Sequence, residues 1–323
     1  MKSKINKIAV LGGAGLIGSH LVDYLVSKGE KVVVFDDFSK GKKGNLKFSK
    51  NKIEIRKINL ENKKNLHKYF SDCNVFFHLA SRAYGVGYSK NNHSKIFKHN
   101  EKITNNIINS LKKVKINYFQ CVSSSCVYDD NGPIKIREEL KPLGKPEKAN
   151  LGYGLAKRSL EKKILSSSKK NKFQLSIVRP FNIYSERYNW LGSFSQAIPM
   201  IVKKIMESKK TIEIWGSGKQ RRNYLHAKDC AAIMYKIYKK KYTKTPINIG
   251  YENTVSLKEL AEKICFLAKK KLIFTYNLNK PEGRFVKSSN SKLLKKITLN
   301  YKPKISLNKG LSLMIGWHKK NFS

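Results

Sequence analysis

Tyr153 and Lys157 stand four residues apart in Tyr153-Gly154-Leu155-Ala156-Lys157, so on a helix they share one face. A phenol titrates near ~10 when unperturbed, too high for a base at neutral pH, whereas a neighbouring ammonium favours the phenolate. The pair is therefore expected to act as a general base, with Lys157 lowering the pKa of Tyr153. Upstream, Ser123-Ser124-Ser125-Cys126-Val127-Tyr128 supplies hydroxyls, one of which would hold a substrate oxygen beside the phenol. Such a group takes the proton of a hydroxyl, and oxidising the carbon beneath it then requires a hydride acceptor.

A cradle for that acceptor lies near the amino terminus. Lys7-Ile8-Ala9-Val10-Leu11 reads as a strand that runs into Gly12, Gly15 and Gly18, followed by the apolar-patterned Leu21-Val22-Asp23-Tyr24-Leu25-Val26. The first glycine permits a tight turn, the second lets backbone approach a pyrophosphate, and the third packs a helix closely on its strand. The helix amino terminus then presents free N–H groups to an anion. Asp36 closes a second strand, Lys31-Val32-Val33-Val34-Phe35. A carboxylate there accepts hydrogen bonds from a ribose hydroxyl and repels a 2′-phosphate, so NAD is expected rather than NADP. With this cradle, Tyr153 would take a proton from a sugar hydroxyl as hydride passes to the nicotinamide.

Residues so far apart need a frame that returns them to one crevice. Strand patterns at 53–58, 75–79, 118–122 and 175–178 alternate with helix patterns near 62–70, 103–114 and 154–165. That alternation predicts an α/β fold, a Rossmann-type doubly wound parallel sheet covered on both faces. Arg179-Pro180 is expected to end its strand, because proline cannot continue a central ladder. Further on, helices are expected near 198–206, 227–238 and 257–267, with strands at 211–215 and 247–249. Residues 1–180 are thus assigned to an NAD-binding domain and 181–323 mainly to a smaller, partly interwoven carboxy-terminal substrate domain. Within the latter, about 220–250 should return to the first sheet.

The 323-residue chain carries a formal net charge of +45 at pH 7. Its lysines are spread along the whole length, with no run longer than Lys239-Lys240-Lys241 or Lys269-Lys270-Lys271 and no interleaved stacking aromatics. That distribution reads as compositional bias and not as a nucleic-acid patch, although such a field attracts any anionic substrate. Five scattered cysteines without a C-x-x-C pair argue for reduced thiols, and the seven histidines form no ligand motif, so no metal is expected. No apolar stretch is long enough for a membrane helix, and the opening residues lead directly into the first strand. A cytoplasmic protein is expected.

These motifs together resemble the extended short-chain dehydrogenases/reductases, the NAD-dependent epimerases and dehydratases of nucleotide sugars. The resemblance spans nearly the whole chain: Gly12-Gly13-Ala14-Gly15-Leu16-Ile17-Gly18-Ser19-His20, His78-Leu79-Ala80, the serine run, Tyr153 with Lys157, Arg179-Pro180-Phe181-Asn182-Ile183-Tyr184, and Arg222-Asn223-Tyr224-Leu225-His226. It implies that Ser124 is the catalytic serine, Tyr153 the acid/base, and Lys157 a ligand of the nicotinamide ribose. It also implies cofactor contacts from Gly12, Gly15, Leu16, Ile17, Gly18, Asp36, Asn59, Leu60, Ala80 and Asn100. Asn59 departs from the aspartate usual near the adenine. By the same resemblance Asn182, Arg222 and Arg284 would hold a nucleotide-diphosphate sugar, the arginines through charge-assisted bonds. A homodimer is implied too, formed by the helices near 103–114 and 154–165.

Cys126, two residues before Tyr128, occupies the position that separates reactions within this family. Sugar 4,6-dehydratases carry Asp-Glu where this chain has Ser125-Cys126, and simple 4-epimerases carry a small neutral residue. A cysteine there is similar to the GDP-mannose 3,5-epimerases and GDP-fucose synthases, in which it exchanges protons beside a C4 ketone. The second acid/base of those groups is replaced here, by Leu191 in Trp190-Leu191-Gly192 and by Gln196. The implied activity is an NAD-dependent nucleotide-sugar epimerase working through transient oxidation at C4, with inversion at C4 or at C3/C5. A 4-keto-sugar reductase or dehydratase of the family is the alternative, and an inactive NAD- or RNA-binding protein is the alternative from another class.

Overall fold

The computed structural model describes residues 7–138, 142–188, 190, 195–280 and 283–322. Seven parallel strands form its main sheet, in the order Ile53–Lys57, Lys31–Asp36, Lys7–Leu11, Val75–His78, Tyr118–Val122, Gln174–Pro180 and Ile247–Ile249. Alternate side chains leave the sheet on opposite faces, as the pleat requires. Ile8 and Val10 join Val32 and Val34 under the helices Leu16–Ser27 and Ala227–Lys240. Ala9 and Leu11 join Val33 and Phe35 on the other face, against His93–Leu111 and Leu151–Asn171. Strands buried on both faces explain the unbroken apolar runs of the sequence.

Strand order reverses direction between Lys7–Leu11 and Val75–His78, and in such sheets the ligand crevice opens at that point, outside the carboxyl ends. A separate core holds Trp190, Ile198, Val202, Ile214, Leu260, Ile264 and Met314 in a carboxy-terminal lobe. Smaller sheets accompany them; one of four strands contains Arg221–Arg222 and Val286–Ser289. The chain then returns to the main sheet, with Ile247–Ile249 pairing against Val178–Pro180.

Three elements differ from the sequence expectation. The helix expected over 103–114 begins at His93, because Ile96 and Asn100 are buried although their neighbours are polar. The helix expected over 154–165 extends across Leu151–Asn171 and stops at Lys172, whose φ of 52° is left-handed. Only His67–Phe70 is helical within 62–70. There the Asn59 side chain accepts the N–H groups of Glu61 (2.9 Å) and Asn62 (3.2 Å), a local turn that competes with the helix. Pro180 ends its strand as expected, and it costs no ladder bond at the terminus.

Arg179 lies wholly buried where these parts meet. Its Nε and Nη2 donate to Glu161 Oε1 (2.8 Å) and Oε2 (2.6 Å), and its Nη1 donates to the Tyr128 hydroxyl (3.0 Å). That hydroxyl donates in turn to Asn248 Oδ1 at 2.6 Å. One guanidinium thus ties the helix Leu151–Asn171, the segment after the fifth strand and the returning strand Ile247–Ile249. Removing one partner of a buried pair strands the other charge, a loss of about 3–5 kcal/mol. Urea unfolding of Arg179→Met should therefore show a much lower midpoint, and Arg179→Met/Glu161→Leu should recover most of it. An Arg179→Met midpoint equal to wild type would refute this account.

Candidate active site

The glycine loop is shaped by close approach. Gly12 has φ +80°, and a Cβ there would sit 2.7 Å from the Ala80 nitrogen, so the loops after the first and fourth strands touch at the crevice. A Cβ on Gly18 would come within 2.1 Å of the Gly12 carbonyl oxygen, which explains the third glycine. Gly15 meets only that same oxygen, at 3.3 Å, leaving space beside it. Gly15 also precedes the helix Leu16–Ser27 without any side-chain cap, and Leu16 and Ile17 are half-buried at its start. An open concavity over an uncapped helix amino terminus fits a pyrophosphate.

Asp36 stands at the rim of this loop. Its Oδ2 accepts the Ala14 N–H and its Oδ1 the Phe38 N–H, each at 2.8 Å. Burial raises its pKa, and those two bonds oppose the rise. Each oxygen keeps a lone pair for a ribose hydroxyl. The buried Asn100 donates to the Arg82 and Ile96 carbonyls and accepts from Arg82 N–H, so it shapes the loop after Ala80. Asn59 Oδ1 is engaged in its own turn, and Leu60 is buried beside it. The residues present therefore fit NAD, with Gly12, Gly15, Leu16, Ile17, Gly18 and Asp36 forming the immediate cradle.

Ser124, Cys126, Tyr153 and Lys157 gather at the carboxyl end of Tyr118–Val122. The Ser124 hydroxyl accepts the Cys126 N–H at 3.2 Å and caps a short turn, Ser125–Val127. A Cβ on Gly154 would lie 2.5 Å from the Cys126 carbonyl oxygen, so glycine lets the helix carrying Tyr153 rest on that turn. Lys157 Nζ lies 5.5 Å from the Tyr153 ring centre but donates to the Val122 carbonyl at 2.8 Å. Burial pulls this lysine down to about 8. Proximity to Lys157 does not by itself bring the phenol down. Burial, with Cys126 adding to it, holds Tyr153 well above its usual value, and only a hydrogen bond with Ser81 opposes the shift.

The expected substrate residues are each engaged in local hydrogen bonds. Asn182 has φ +40° and donates to Asn223 Oδ1 at 3.2 Å. Arg222 Nη1 donates to the Arg221 (2.8 Å) and Phe285 (3.3 Å) carbonyls. Arg284 is engaged differently from the expectation. Its guanidinium donates to the backbone carbonyls of Val286, Asp129, Gly132 and Pro133, so in this conformation it clamps a loop. Gln196 accepts from the Tyr188 hydroxyl at 2.8 Å, and Leu191 lies outside the described residues.

Three residues that the sequence reading missed adjoin these groups: Lys287, Glu147 and Ser81. Lys287 Nζ sits 2.9 Å from Glu147 Oε2 and 3.8 Å from Cys126 Sγ, and the Cys126 thiol faces the same carboxylate oxygen at 3.5 Å. The Lys287 and Glu147 side chains are 5% and 9% exposed. Burial pushes the Cys126 thiol up, and Lys287 pulls it down. Lys287 holds Glu147 down to about 2. Ser81, which follows His78-Leu79-Ala80 directly, was the one missed residue adjoining a recognised motif.

Calorimetry provides a direct test of the cradle. Asp36→Ala should weaken NAD binding by about tenfold, the loss of one or two charge-assisted hydrogen bonds. It should also narrow the preference over NADP, and tighter NADP than NAD binding by the wild type would refute the assignment.

Comparison with known proteins agrees with this geometry. GDP-mannose 3,5-epimerase of Arabidopsis thaliana is 27% identical over 321 residues, covering 97% of this chain and 82% of that protein. UDP-N-acetyl-alpha-D-glucosaminuronate decarboxylase of Bacillus cytotoxicus is 29% identical over 255 residues, covering 79% and 78%. In structure, UDP-glucuronic acid 4-epimerase from Bacillus cereus, solved with UDP-glucuronic acid and NAD, superposes with a TM-score of 0.85 at 24% identity, covering 98% of this chain and all of that one. UDP-glucose 4-epimerase from Thermotoga maritima, solved with UDP-glucose, gives 0.85 at 22% identity, with coverages of 98% and 100%. The family model described as NAD dependent epimerase/dehydratase matches residues 8–250. The chain belongs to the NAD dependent epimerase/dehydratase family, and its cofactor is NAD.

Proposed function

We propose that this enzyme is a nucleotide-sugar epimerase that oxidises its substrate transiently at sugar C4. The observation that carries the reading is the convergence of Ser124, Tyr153 and Lys157 at the carboxyl end of Tyr118–Val122, in the same parallel sheet whose strand Lys7–Leu11 runs into the glycine loop. NAD, held by the loop and Asp36, supplies the hydride acceptor and a positive ring charge. Tyr153 takes the C4 hydroxyl proton onto its phenol oxygen and later returns it, and Ser124 holds the same substrate oxygen. Lys157 binds the nicotinamide ribose, and its ammonium together with the cofactor's charge favours the phenolate that burial alone disfavours.

Asn182 and Arg222 hold the diphosphate or its ribose, and the chain's large positive charge draws in that anion. Once C4 is a ketone, two outcomes are open: reduction on its other face, or proton exchange at C3 or C5 through Cys126. The electrostatic interaction of the Cys126 thiol with the Tyr153 phenol, which puts the two groups near each other, favours the second. A 4-keto-sugar reductase is disfavoured by Asp36, which repels the 2′-phosphate of NADPH.

The same reading assigns residues 1–180 to cofactor binding and 181–323 mainly to the substrate, in a cytoplasmic homodimer. His93–Leu111 and Leu151–Asn171, which pack side by side and are joined by an ion pair between Lys163 and Glu101, would form the interface. Among the described residues no helix is long and apolar enough to cross a membrane. Light scattering that finds a monomer at micromolar protein and physiological salt would remove the dimer.

Turnover of a nucleotide-sugar panel in deuterated water tests the chemistry. Tyr153→Phe should lose about 10²–10⁴ in kcat while NAD and sugar-nucleotide affinities hold. Lys157→Ala should damage both turnover and NAD binding. Deuterium at C3 or C5 that disappears in Cys126→Ser supports carbon-acid chemistry, and epimerisation without deuterium means inversion at C4 alone. No conversion of any nucleotide sugar would overturn the proposal.

A further inference from the structure

We propose that Lys287, paired with Glu147, is a positioning residue that sets the charge state of the Cys126 sulfur. This rests on the reading of Cys126 as the group that exchanges a proton with the sugar. The three side chains come from separate parts of the fold. Cys126 lies on the turn after Tyr118–Val122, Glu147 lies just before the helix Leu151–Asn171, and Lys287 lies in the strand Val286–Ser289. Lys287 is aligned opposite Arg222 in that small sheet, so the strand that presents the cation pairs with the one that presents the substrate-side arginine.

A buried lysine normally needs one carboxylate to offset its desolvation. This one has Glu147 at 2.9 Å and is shared with the sulfur at 3.8 Å. The distances define its role. Groups that work on opposite faces of a carbon must leave room for it between them, and 3.8 Å leaves none. Lys287 therefore lies on the sulfur's own side and serves it as counter-charge, not as an opposing acid.

The proton inventory is simple. The thiol releases its proton to water, leaving a sulfur anion beside the Lys287 ammonium, while Glu147 opposes that ionisation by its own negative charge and by accepting the S–H. The thiolate takes a proton from the carbon next to the C4 ketone, and the C–H electron pair moves towards the C4 oxygen as an enolate. Returning a proton from sulfur to that carbon restores both groups. The other groups that face the cluster are the Ser124 hydroxyl, which bonds the turn, the Tyr153 phenol and the Lys157 ammonium from the helix, the Arg222 and Arg284 guanidiniums near Glu147, and the Asn150 amide, which donates to Glu147 Oε2 at 3.4 Å.

The test is the pH profile of iodoacetamide alkylation in the full-length protein, with the labelled site identified by mass spectrometry. Cys126 is the partly exposed thiol, and Cys73, Cys121, Cys230 and Cys265 are buried. Lys287→Met should raise the apparent thiol pKa by about one unit or more and slow alkylation roughly tenfold at pH 7.5. Glu147→Gln should lower that pKa and speed the reaction, and Lys287→Arg should stay near wild type. Loosened packing would instead speed both neutralising variants, so the opposite signs separate electrostatics from disruption. If Lys287→Met fails to fold, Lys287→Met/Glu147→Gln, which strands no charge, replaces it, and it should react about tenfold more slowly than Glu147→Gln.

Profiles that coincide with and without Lys287 would overturn the proposal, even where Cys126→Ser abolishes deuterium exchange and so sustains the assigned reaction. Shifted profiles with deuterium exchange intact in Cys126→Ser would sustain the electrostatic role and overturn the acid/base reading of Cys126.

Discussion

The arrangement of this molecule depends on one buried guanidinium. Arg179 occupies the strand Gln174–Pro180, where the sheet gains its last neighbour, and three segments converge on its donors. Glu161 fixes the helix that carries Tyr153 and Lys157. Tyr128 fixes the turn that carries Ser124 and Cys126, and through Asn248 it reaches the strand that returns from the carboxy-terminal half. A planar fork suits this task because it holds several acceptors at set angles, which a lysine ammonium does not. A pair with such a desolvation cost is poor evidence for stability in itself, and its value here is geometric.

Around that anchor the crevice is built from groups whose charged forms are disfavoured. Burial raises the Tyr153 phenol and the Cys126 thiol and lowers Lys157. The phenol and the thiol are therefore held neutral until an anionic sugar nucleotide or a positively charged nicotinamide arrives, whereas Lys157, lowered to about 8, keeps most of its charge near neutral pH. Preorganised polar groups in a dry crevice interact strongly with charge that develops there. The exception is the Lys287–Glu147 pair, where opposite charges sustain each other inside the protein. It introduces fixed charge beside the sulfur without adding net charge.

The same logic distributes polar groups elsewhere. Arg284 and Asn100 turn their donors onto backbone carbonyls, at Asp129–Pro133 and at Arg82, and so stiffen the loops that border the crevice. Asp36 accepts two backbone N–H groups and is thereby held at the loop rim before any ribose arrives. Rigid surroundings reduce the ordering that a ligand must impose on binding.

Much of this was legible in the sequence, for reasons that are local. A glycine is dictated by its own φ or by a neighbour a few residues away, so Gly12, Gly15 and Gly18 announce the dinucleotide loop, and i, i+4 spacing announces Tyr153 with Lys157. Apolar runs mark strands buried on both faces, and they located the sheet. What depends on distant segments was not legible. The start of the helix at His93 depends on its packing partner, and polar neighbours hid it. The pKa of Tyr153 depends on burial and on Ser81, neither of which follows from its spacing to Lys157. Arg284, expected from the resemblance to hold substrate, spends its donors on a loop some 150 residues earlier. Glu147 and Lys287 belong to no motif and lie 21 and 161 residues from Cys126. The sequence by itself determined the glycine loop and the helix that carries Tyr153 and Lys157, because steric and periodic constraints are written within a few residues. Only the tertiary structure decided which charges face the sulfur and the phenol, because burial and long-range electrostatics arise when separate strands are brought together.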